Sequence, residues 1–281
     1  MVRRSRLDTE LVRRGLARSR EQAAELITAG RVMIAGRVAS KPAPSPIAGR
    51  VASKPATNVE PGAPIVVTES RSGPEYVSRG GHKLAGALEA FTPRGLRVAG
   101  RRCLDAGAST GGFTDVLLRH GATHVVAVDV GYGQLAWSLR TDERVTVRDR
   151  TNVRDLTPEQ VGEPVELVVA DLSFISLTLV LPALVRCAAP DADFVLMVKP
   201  QFEVGRERLG SGGVVRDPKL RAEAVRTVAR RAAELGLGVR GVTASPLPGP
   251  SGNVEYFLWL QAGAPPLDEA ELRRAIEEGP Q

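Results

Sequence analysis

Residues 102–113 read RCLDAGASTGGF, and this stretch decides the fold. A run typical of a strand passes through a glycine-rich turn into the first residues of a helix. Because glycine has no Cβ, Gly107, Gly111 and Gly112 let the backbone bend sharply and approach a ligand closely. Asp129 ends the next predicted strand, where a carboxylate can accept hydrogen bonds from both hydroxyls of a ribose. The pattern predicts an α/β fold that binds a cofactor containing a nucleoside.

Strands and helices alternate outward from this turn, from residue 78 onward. The predicted strands are 102–106, 124–129, 145–147, 165–171, 194–199, 239–244 and 255–260. The predicted helices are 80–91, 112–120, 133–140, 176–188 and 218–235. This alternation is typical of a mainly parallel sheet with helices on both faces. We therefore expect a Rossmann-like α/β domain with a seven-stranded sheet at 80–268, followed by a C-terminal tail at 269–281.

The spacing within the turn distinguishes between two cofactors. A dinucleotide needs the sequence G-x-G-x-x-G to hold its pyrophosphate, and DAGASTGG does not match it. The turn resembles instead the D-x-G-x-G-x-G loop of Rossmann-like methyltransferases, with Ser109 in place of the middle glycine. Asn152 follows the third predicted strand, where those enzymes contact adenine. We predict S-adenosylmethionine, bound by Asp105, Gly107, Ser109, Gly111, Gly112, Asp129 and Asn152; a tight turn without a ligand is the alternative.

Positive charge is concentrated in the N-terminal part of the chain. Residues 1–58 contain twelve Lys and Arg against four Asp and Glu, which leaves 26 basic and 28 acidic residues for the remainder. Such a concentration is expected where a protein neutralises the phosphates of a nucleic acid, although a solvated surface has the same composition. Two short helices are predicted here, one over 6–16 and one from the N-cap Ser19 to Gly30. Residues 31–34 and 37–38 then predict a small hairpin.

A duplication interrupts this region. The ten residues IAGRVASKPA occur at 34–43 and again at 47–56, separated by Pro-Ser-Pro. Two copies are too few for a repeat array, which needs at least about three. The sequence does not decide which copy forms the hairpin. We assign residues 1–70 to a small α+β RNA-binding domain that contains the duplication, and 71–79 to a linker.

Charged residues follow two of the predicted strands. Asp171 follows VELVVA and Lys199 follows FVLMV, and the carboxyl ends of parallel strands share one edge of a sheet. A lysine after so apolar a run is costly to bury without a partner, unless its side chain reaches solvent at the edge. Lys83 in the predicted helix 80–91 and Glu255 at the start of the last predicted strand each have no clear role when considered alone.

Taken together, these four residues suit the methylation of a ribose hydroxyl. That reaction removes a weakly acidic proton, and a lysine can accept it where burial or a neighbouring cation lowers its pKa. Two carboxylates can hold two lysines near each other. Methylation of a base nitrogen would predict Asn/Asp-Pro-Pro-aromatic after the fourth strand, which the sequence lacks. Methylation at C5 needs a cysteine nucleophile, but Cys103 and Cys187 lie in a strand and an apolar helix.

The composition excludes several other classes of protein. Two cysteines and three histidines do not provide a disulfide framework and argue against a zinc site. No apolar stretch approaches the roughly 18 residues needed to span a bilayer, and the N-terminus is not a signal peptide. We expect a cytoplasmic, monomeric protein with no metal and no membrane partner.

Eight motifs in a fixed order carry a resemblance to a known family. They are RLDxxLVRRGLxxSRxxAxxLI, SRGGHKL, LDAGASTGGF, VDVGYGQLAW, DLSFIS, VKPQFE, GGVVRDP and SPLPGPSGNVEYFLWL. Together they resemble the TlyA family of rRNA 2′-O-methyltransferases, also called haemolysins, which join an S-four-like RNA-binding domain to an FtsJ-like methyltransferase domain. The resemblance implies that the family's catalytic Lys-Asp-Lys-Glu set is Lys83, Asp171, Lys199 and Glu255.

The resemblance also implies a substrate, which is cytidine in the 16S and 23S rRNA of ribosomal subunits. It implies RNA contacts for Arg6, Arg20, Arg79, Phe174 and Ser251, the last two near a nucleotide turned out of its stack. Because of the duplication, the family's contact lysine corresponds to either Lys41 or Lys54. Two other functions stay open at this stage. One is RNA binding with an inactive cofactor domain; the other is membrane lysis, for which the sequence offers no basic amphipathic helix.

Overall fold

The computed structural model describes residues 5–17, 19–28, 31–35, 49–52, 54–60, 62–67, 76–249 and 251–280. The chain divides into two units, Met1–Glu75 and Tyr76–Gln281. This boundary differs from the predicted linker at 71–79. Residues 71–75 lie outside the described part, whereas Val77 belongs to the second unit and donates its backbone N–H to Asp115 Oδ2 at 2.9 Å.

The described residues of the N-terminal unit form two helices and two small sheets. Its elements are β1 (Ser5–Arg6), α1 (Leu7–Arg13), α2 (Arg20–Thr28), β2 (Val32–Ala35), β3 (Gly49–Val51), β4 (Asn58–Val59) and β5 (Ile65–Val67). Strand β1 pairs with β4, and the second sheet has the order β3-β2-β5. Leu7, Leu11 and Ile27 lie on the facing sides of the two helices and are fully buried. The predicted N-cap is confirmed, since Ser19 Oγ accepts a hydrogen bond from Gln22 N at 3.2 Å.

The second copy of the duplication supplies the strand that pairs with β2. Met33 is opposite Val51 and Ala35 is opposite Gly49 in an antiparallel register. The predicted return strand at 37–38 lies outside the described residues. A strand of the sheet therefore comes from IAGRVASKPA at 47–56, and the duplication adds chain between two strands that remain paired.

The larger unit alternates strands and helices as predicted. Its helices are α3 (Gly80–Phe91), α4 (Gly112–Arg119), α5 (Trp137–Arg140), α6 (Pro158–Val161), α7 (Leu177–Cys187), α8 (Pro200–Glu203), α9 (Pro218–Glu234) and α10 (Glu269–Glu278). Its strands are β6 (Arg102–Ala106), β7 (His124–Val128), β8 (Val145–Arg148), β9 (Val165–Ala170), β10 (Ala188–Val198), β11 (Leu237–Ala244) and β12 (Tyr256–Ala262). The predicted α/β class and the seven-stranded sheet are confirmed.

The strand order is β11-β12-β10-β9-β6-β7-β8. The neighbouring pairs from β10 to β8 are parallel, whereas β12 runs antiparallel to both β10 and β11. Because β12 is reversed, its first residue lies at the same edge as the last residues of the parallel strands; Tyr256 is opposite Val198. Residues that follow β6, β7, β9 and β10 therefore meet Glu255 at one edge of the sheet.

Helices cover both faces of the sheet with separate apolar clusters. One cluster joins α7, α9 and α10 to Leu104, Val168 and Leu196, and the other joins α3 and α4 to Cys103, Val169 and Val195. Alternate residues along each strand contribute to opposite clusters, as the pleat of a strand requires. This burial on both faces explains why the strands are continuous apolar runs.

Several segments differ from the sequence-based expectation: α6 and α8 are additional short helices, and β10 begins at Ala188 rather than at residue 194. Helix α5 begins at Trp137 rather than near residue 133, because Gly133 has a φ of +67° and residues 129–136 form a loop. The segment 269–281 is not simply a tail, since α10 packs Leu272 and Ile276 against the sheet. These apolar residues have helical spacing but lie among charged neighbours, which hid the helix in the sequence.

Candidate active site

The glycine-rich turn lies between β6 and α4, and the geometry of its glycines is demanding. Gly107 has a φ of +87°, and a Cβ there would lie 2.7 Å from the backbone oxygen of Asp171. Gly111 has a φ of +98° and is the N-cap of α4. Ser109 also has a positive φ, +47°, which is uncommon outside glycine, asparagine and aspartate. The turn leaves backbone N–H groups at the start of α4 directed toward the edge where the strands end.

Asp129 follows β7 and holds this turn in place. Its Oδ2 accepts a hydrogen bond from Ser109 N at 2.8 Å, and its Oδ1 accepts one from Gly131 N at 2.7 Å. The carboxylate was predicted to bind a ribose, and it also fixes the loops on either side. Each carboxylate oxygen has two acceptor sites, so both roles are compatible. Asn152 has a similar local role, since its Oδ1 accepts a hydrogen bond from Arg154 N at 3.1 Å.

Asp105 lies beneath the turn and is fully buried. Its Oδ2 accepts a hydrogen bond from Thr114 Oγ1 at 2.7 Å, whereas Oδ1 is buried without a hydrogen-bond partner among the described residues. Burial raises the pKa of Asp105 to about 7 from 3.8, and the nearby charge of Asp171 adds to the rise. An acceptor that is buried and unpaired is rare and costly, and it suits a site completed by a bound donor.

Two lysine–carboxylate ion pairs lie at the same edge of the sheet. Lys83 Nζ on α3 is 2.5 Å from Glu255 Oε2, and both side chains are buried. Lys199 Nζ, directly after β10, is 2.6 Å from Asp171 Oδ1 and donates to Ser173 Oγ at 3.0 Å. The structure thus pairs the four predicted catalytic residues. One pair joins α3 to the residue before β12, and the other joins the residues that directly follow β9 and β10.

A cavity of 680 Å³ opens beside these pairs. Lys199, Glu255, Phe174 and Ser251 line it, and Lys83 and Asp171 reach it only through their ion pairs. Four predicted residues from three separate motifs therefore share one cavity. The second oxygen of Glu255, Oε1, is buried with no hydrogen-bond partner among the described residues. The cavity has room for a nucleoside-sized group next to a cation and a carboxylate.

Phe174 stands at the wall of this cavity in an unusual conformation. Its φ is +64° and 91% of its surface is exposed. Its ring lies 5.2 Å from the ring of Phe202, centroid to centroid. A bulky residue with a positive φ is a backbone outlier, and such outliers are concentrated at functional sites.

Two polar side chains that the sequence did not single out hold the cavity walls together. Glu203 on α8 accepts hydrogen bonds from Ser176 Oγ at 2.5 Å and Leu177 N at 2.9 Å, which ties the segment after Lys199 to the segment after Asp171. Burial raises the pKa of Glu203. Asn253 accepts from Val215 N at 2.9 Å and donates to Gly213 O at 3.0 Å. Glu203 is the last residue of VKPQFE and Asn253 is the last residue of GPSGN. A polar residue at the end of each stretch was the signal that the sequence offered.

The two cysteines are unsuited to covalent catalysis. Cys103 in β6 and Cys187 in α7 are both buried. Burial raises the pKa of the Cys103 thiol to about 12 and also raises the pKa of Cys187. A reactive cysteine needs a thiolate, so these two act as small apolar residues.

The arginines predicted to bind RNA in the N-terminal unit are paired with an acid. Arg6 and Arg20 both contact Asp8, at 2.8 Å and 3.2 Å between the nearest charged atoms. Lys54 is exposed, whereas Lys41 lies outside the described residues. In the larger unit, Arg79 is exposed and donates to the backbone oxygen of Pro248 at 3.0 Å.

Comparison with known proteins finds two families in the chain. Residues 76–262 match the model of the FtsJ-like methyltransferase family, and residues 5–43 match that of the S4 domain. A 16S/23S rRNA (cytidine-2′-O)-methyltransferase TlyA from Mycobacterium tuberculosis is 63% identical over the whole of both chains. The chain belongs to the TlyA family. The resemblance drawn from eight motifs is thereby confirmed, and this TlyA-family protein is a methyltransferase.

Two further relatives carry a different name. Hemolysin A of Brachyspira hyodysenteriae is 37% identical over 90% of this chain and 98% of its own length. A solved structure from Streptococcus thermophilus, named as a suspected hemolysin, is 36% identical, covers 99% of this chain and 96% of its own, and has a TM-score of 0.74. Among the described residues of this TlyA-family protein, no helix is long and apolar enough to cross a bilayer.

Proposed function

We propose that this TlyA-family methyltransferase transfers a methyl group from S-adenosylmethionine to the 2′-hydroxyl of cytidine in 16S and 23S rRNA of ribosomal subunits. The observation that carries the proposal is the presence of two lysine–carboxylate ion pairs beside one cavity. The name of the mycobacterial relative supplies the nucleoside and the RNA. The proposed setting is the cytoplasm, where ribosomal subunits are found.

The residues after β6 and β7 suit S-adenosylmethionine. Gly107 closes a turn that no larger residue could form, and Asp105 keeps an unpaired buried oxygen beneath it. Asp129 directly follows β7 and Asn152 lies four residues after β8, at the edge where the ribose and adenine of a nucleoside would lie. When bound, S-adenosylmethionine supplies a methyl group made electrophilic by a positively charged sulfur.

Lys199 is the proposed base. It lines the cavity, and Asp171 and Ser173 fix its Nζ from the side of β9. With a ribose in the cavity, Lys199 Nζ would take the proton of the 2′-hydroxyl while the 2′-oxygen gains the methyl group. Lys83 holds Glu255, whose Oε1 is placed to accept a hydrogen bond from the ribose.

The proposed RNA contacts divide between the two units. In the N-terminal unit they are Arg6, Arg20 and one of the lysines Lys41 and Lys54. In the larger unit they are Arg79, Phe174 and Ser251. Phe174 is the proposed stacking partner of the extruded base, because its ring is exposed at the cavity that contains Lys199.

The experiment compares two lysine variants with a matched control. Lys199→Met and Lys83→Met remove a lysine from the site, whereas Lys219→Met removes an exposed lysine from the start of α9. Methyl transfer to purified ribosomal subunits is measured, and modified riboses are located by mass spectrometry. Loss of the base should lower the rate by about 10² to 10⁴-fold, with S-adenosylmethionine affinity by calorimetry retained. Full activity in Lys199→Met would exclude this residue as the base.

A further inference from the structure

Asp8 in the N-terminal unit joins Arg6 and Arg20, which lie fourteen positions apart in the chain. Its Oδ1 accepts a hydrogen bond from Arg6 Nε at 3.1 Å, and its Oδ2 accepts from Arg6 Nη2 at 2.8 Å and from Arg20 Nη2 at 3.2 Å. Arg6 directly precedes α1 and Arg20 begins α2. One carboxylate therefore fixes the two guanidinium groups at the start of both helices.

The burial of these groups is unequal. Asp8 is only 3% exposed, whereas the side chains of Arg6 and Arg20 are 50% and 58% exposed. The hydrogen bond from Arg6 holds the pKa of Asp8 well below its usual range, so the carboxylate stays ionised. A guanidinium has five N–H donors, and Asp8 uses only some of those on each arginine. The outward parts of both groups remain exposed to solvent and to any anion.

A buried negative charge opposes the binding of a polyanion if charge alone is considered. It favours binding if it fixes the arginines, because an arginine that is already immobile loses less side-chain entropy on contact with a phosphate. The two effects have opposite signs. The geometry of one acid between two half-exposed arginines favours the second.

We propose that Asp8 is a positioning residue for RNA binding, which holds Arg6 and Arg20 together so that both contact neighbouring phosphates of rRNA. This inference rests on the proposed function, which assigns RNA contacts to the two arginines. Asp8 itself contacts no RNA. It acts only through Arg6 and Arg20, and its removal should therefore weaken binding although it makes the protein more positive.

The test is the affinity of Asp8→Asn for purified ribosomal subunits at several salt concentrations. We expect affinity to fall by about three- to thirty-fold, as two arginines regain their freedom. The slope of log affinity against log salt should decrease in size by about one to two, because a protein that makes fewer phosphate contacts releases fewer counterions on binding. Affinity that is unchanged or tighter would overturn the proposal.

Glu10 on the same helix provides a matched control. It is 1% exposed and its carboxylate also contacts two arginines, Arg13 at 2.6 Å and Arg14 at 2.7 Å. Glu10→Gln makes the same change in charge at a similarly buried acid. We expect its salt slope to match that of the wild-type protein. An equal loss of affinity and slope in both variants would show a general effect of removing a buried acid and would overturn the proposal.

A second set of variants separates positioning from damage to the fold. In a protein that already carries Arg6→Ala and Arg20→Ala, Asp8→Asn should weaken binding no further. Weakening in both backgrounds would show a structural defect and overturn the proposal. If the two arginine substitutions alone leave affinity unchanged, the proposed RNA contacts are wrong. If they lower it and Asp8→Asn does not, only the positioning role fails.

Discussion

Asp105 makes the stability of the larger unit depend on pH in an unusual direction. Its carboxyl is fully buried, and its pKa is raised from 3.8 to about 7. The folded state therefore binds a proton that the unfolded state releases, so this group stabilises the fold most at low pH. That stabilisation is lost as pH rises from about 4 through about 7. Asp105→Asn replaces the carboxyl with a group of the same shape that does not titrate.

The size of the effect follows from the two pKa values. A rise from 3.8 to about 7 corresponds to roughly 4 kcal/mol over the whole titration, and to roughly 2–3 kcal/mol between about pH 5 and pH 8. The wild-type protein should lose that much free energy of unfolding relative to Asp105→Asn over this range. Thr114 Oγ1 can donate to the amide oxygen of the variant as it does to Asp105, so the comparison isolates the charge.

Urea unfolding followed by tryptophan fluorescence measures this difference. Both tryptophans, Trp137 and Trp259, belong to the larger unit, so the signal excludes the N-terminal unit. The difference between wild type and variant is taken at each pH, which cancels the other titrating groups. A difference that stays constant within about 0.5 kcal/mol from pH 5 to pH 8 would refute the reasoning.

Three further predictions concern the site. Glu203→Ala should lower the free energy of unfolding by about 1–3 kcal/mol in urea unfolding, because it leaves the backbone N–H of Leu177 without its acceptor, and Glu203→Gln should recover much of the loss. Gly249→Ala should lower turnover by at least about tenfold with unchanged S-adenosylmethionine affinity, because a Cβ there would lie 2.7 Å from Glu255 Oε1. Cys103 should resist maleimide in the folded protein at pH 8 and react in urea, as mass spectrometry can show; rapid labelling of the native state would contradict its raised pKa.

The sequence predicts the sheet well because a strand that is buried on both faces is a run of mostly apolar residues, which can be recognised locally. The runs that end near Ala106, Ala170 and Val198 are mostly apolar, and the predicted C-terminal ends of these three strands lie within one residue of the observed ones. The polar residues that follow these runs identify the active edge for the same reason. A charge after a buried strand can only lie where the strand leaves the core.

The pairing of side chains from distant parts of the chain cannot be recognised in the local sequence. The sequence indicates that Lys83, Asp171, Lys199 and Glu255 act together, but the choice of partners depends on how α3 and β12 meet the sheet. The sequence does not predict the contacts that Glu203 and Asn253 make at the cavity wall, because each contact joins distant segments. It does not predict that Asp8 contacts two arginines, because one of them lies on the neighbouring helix. Helix α10 was missed because its few apolar residues are separated by charges.

The position of β12 has a consequence for the order in which the enzyme becomes active. It is the last strand in the chain, yet it lies inside the sheet, between β10 and β11. During synthesis, the glycine-rich turn, Lys83, Asp171 and Lys199 emerge well before Glu255 and the strand that follows it. Until β12 inserts, β11 has no neighbour in the sheet, and Lys83 lacks the carboxylate that pairs with it in the folded chain. A nascent or C-terminally truncated chain therefore lacks part of the proposed catalytic edge, and we expect methyl transfer only from a chain in which β12 has inserted.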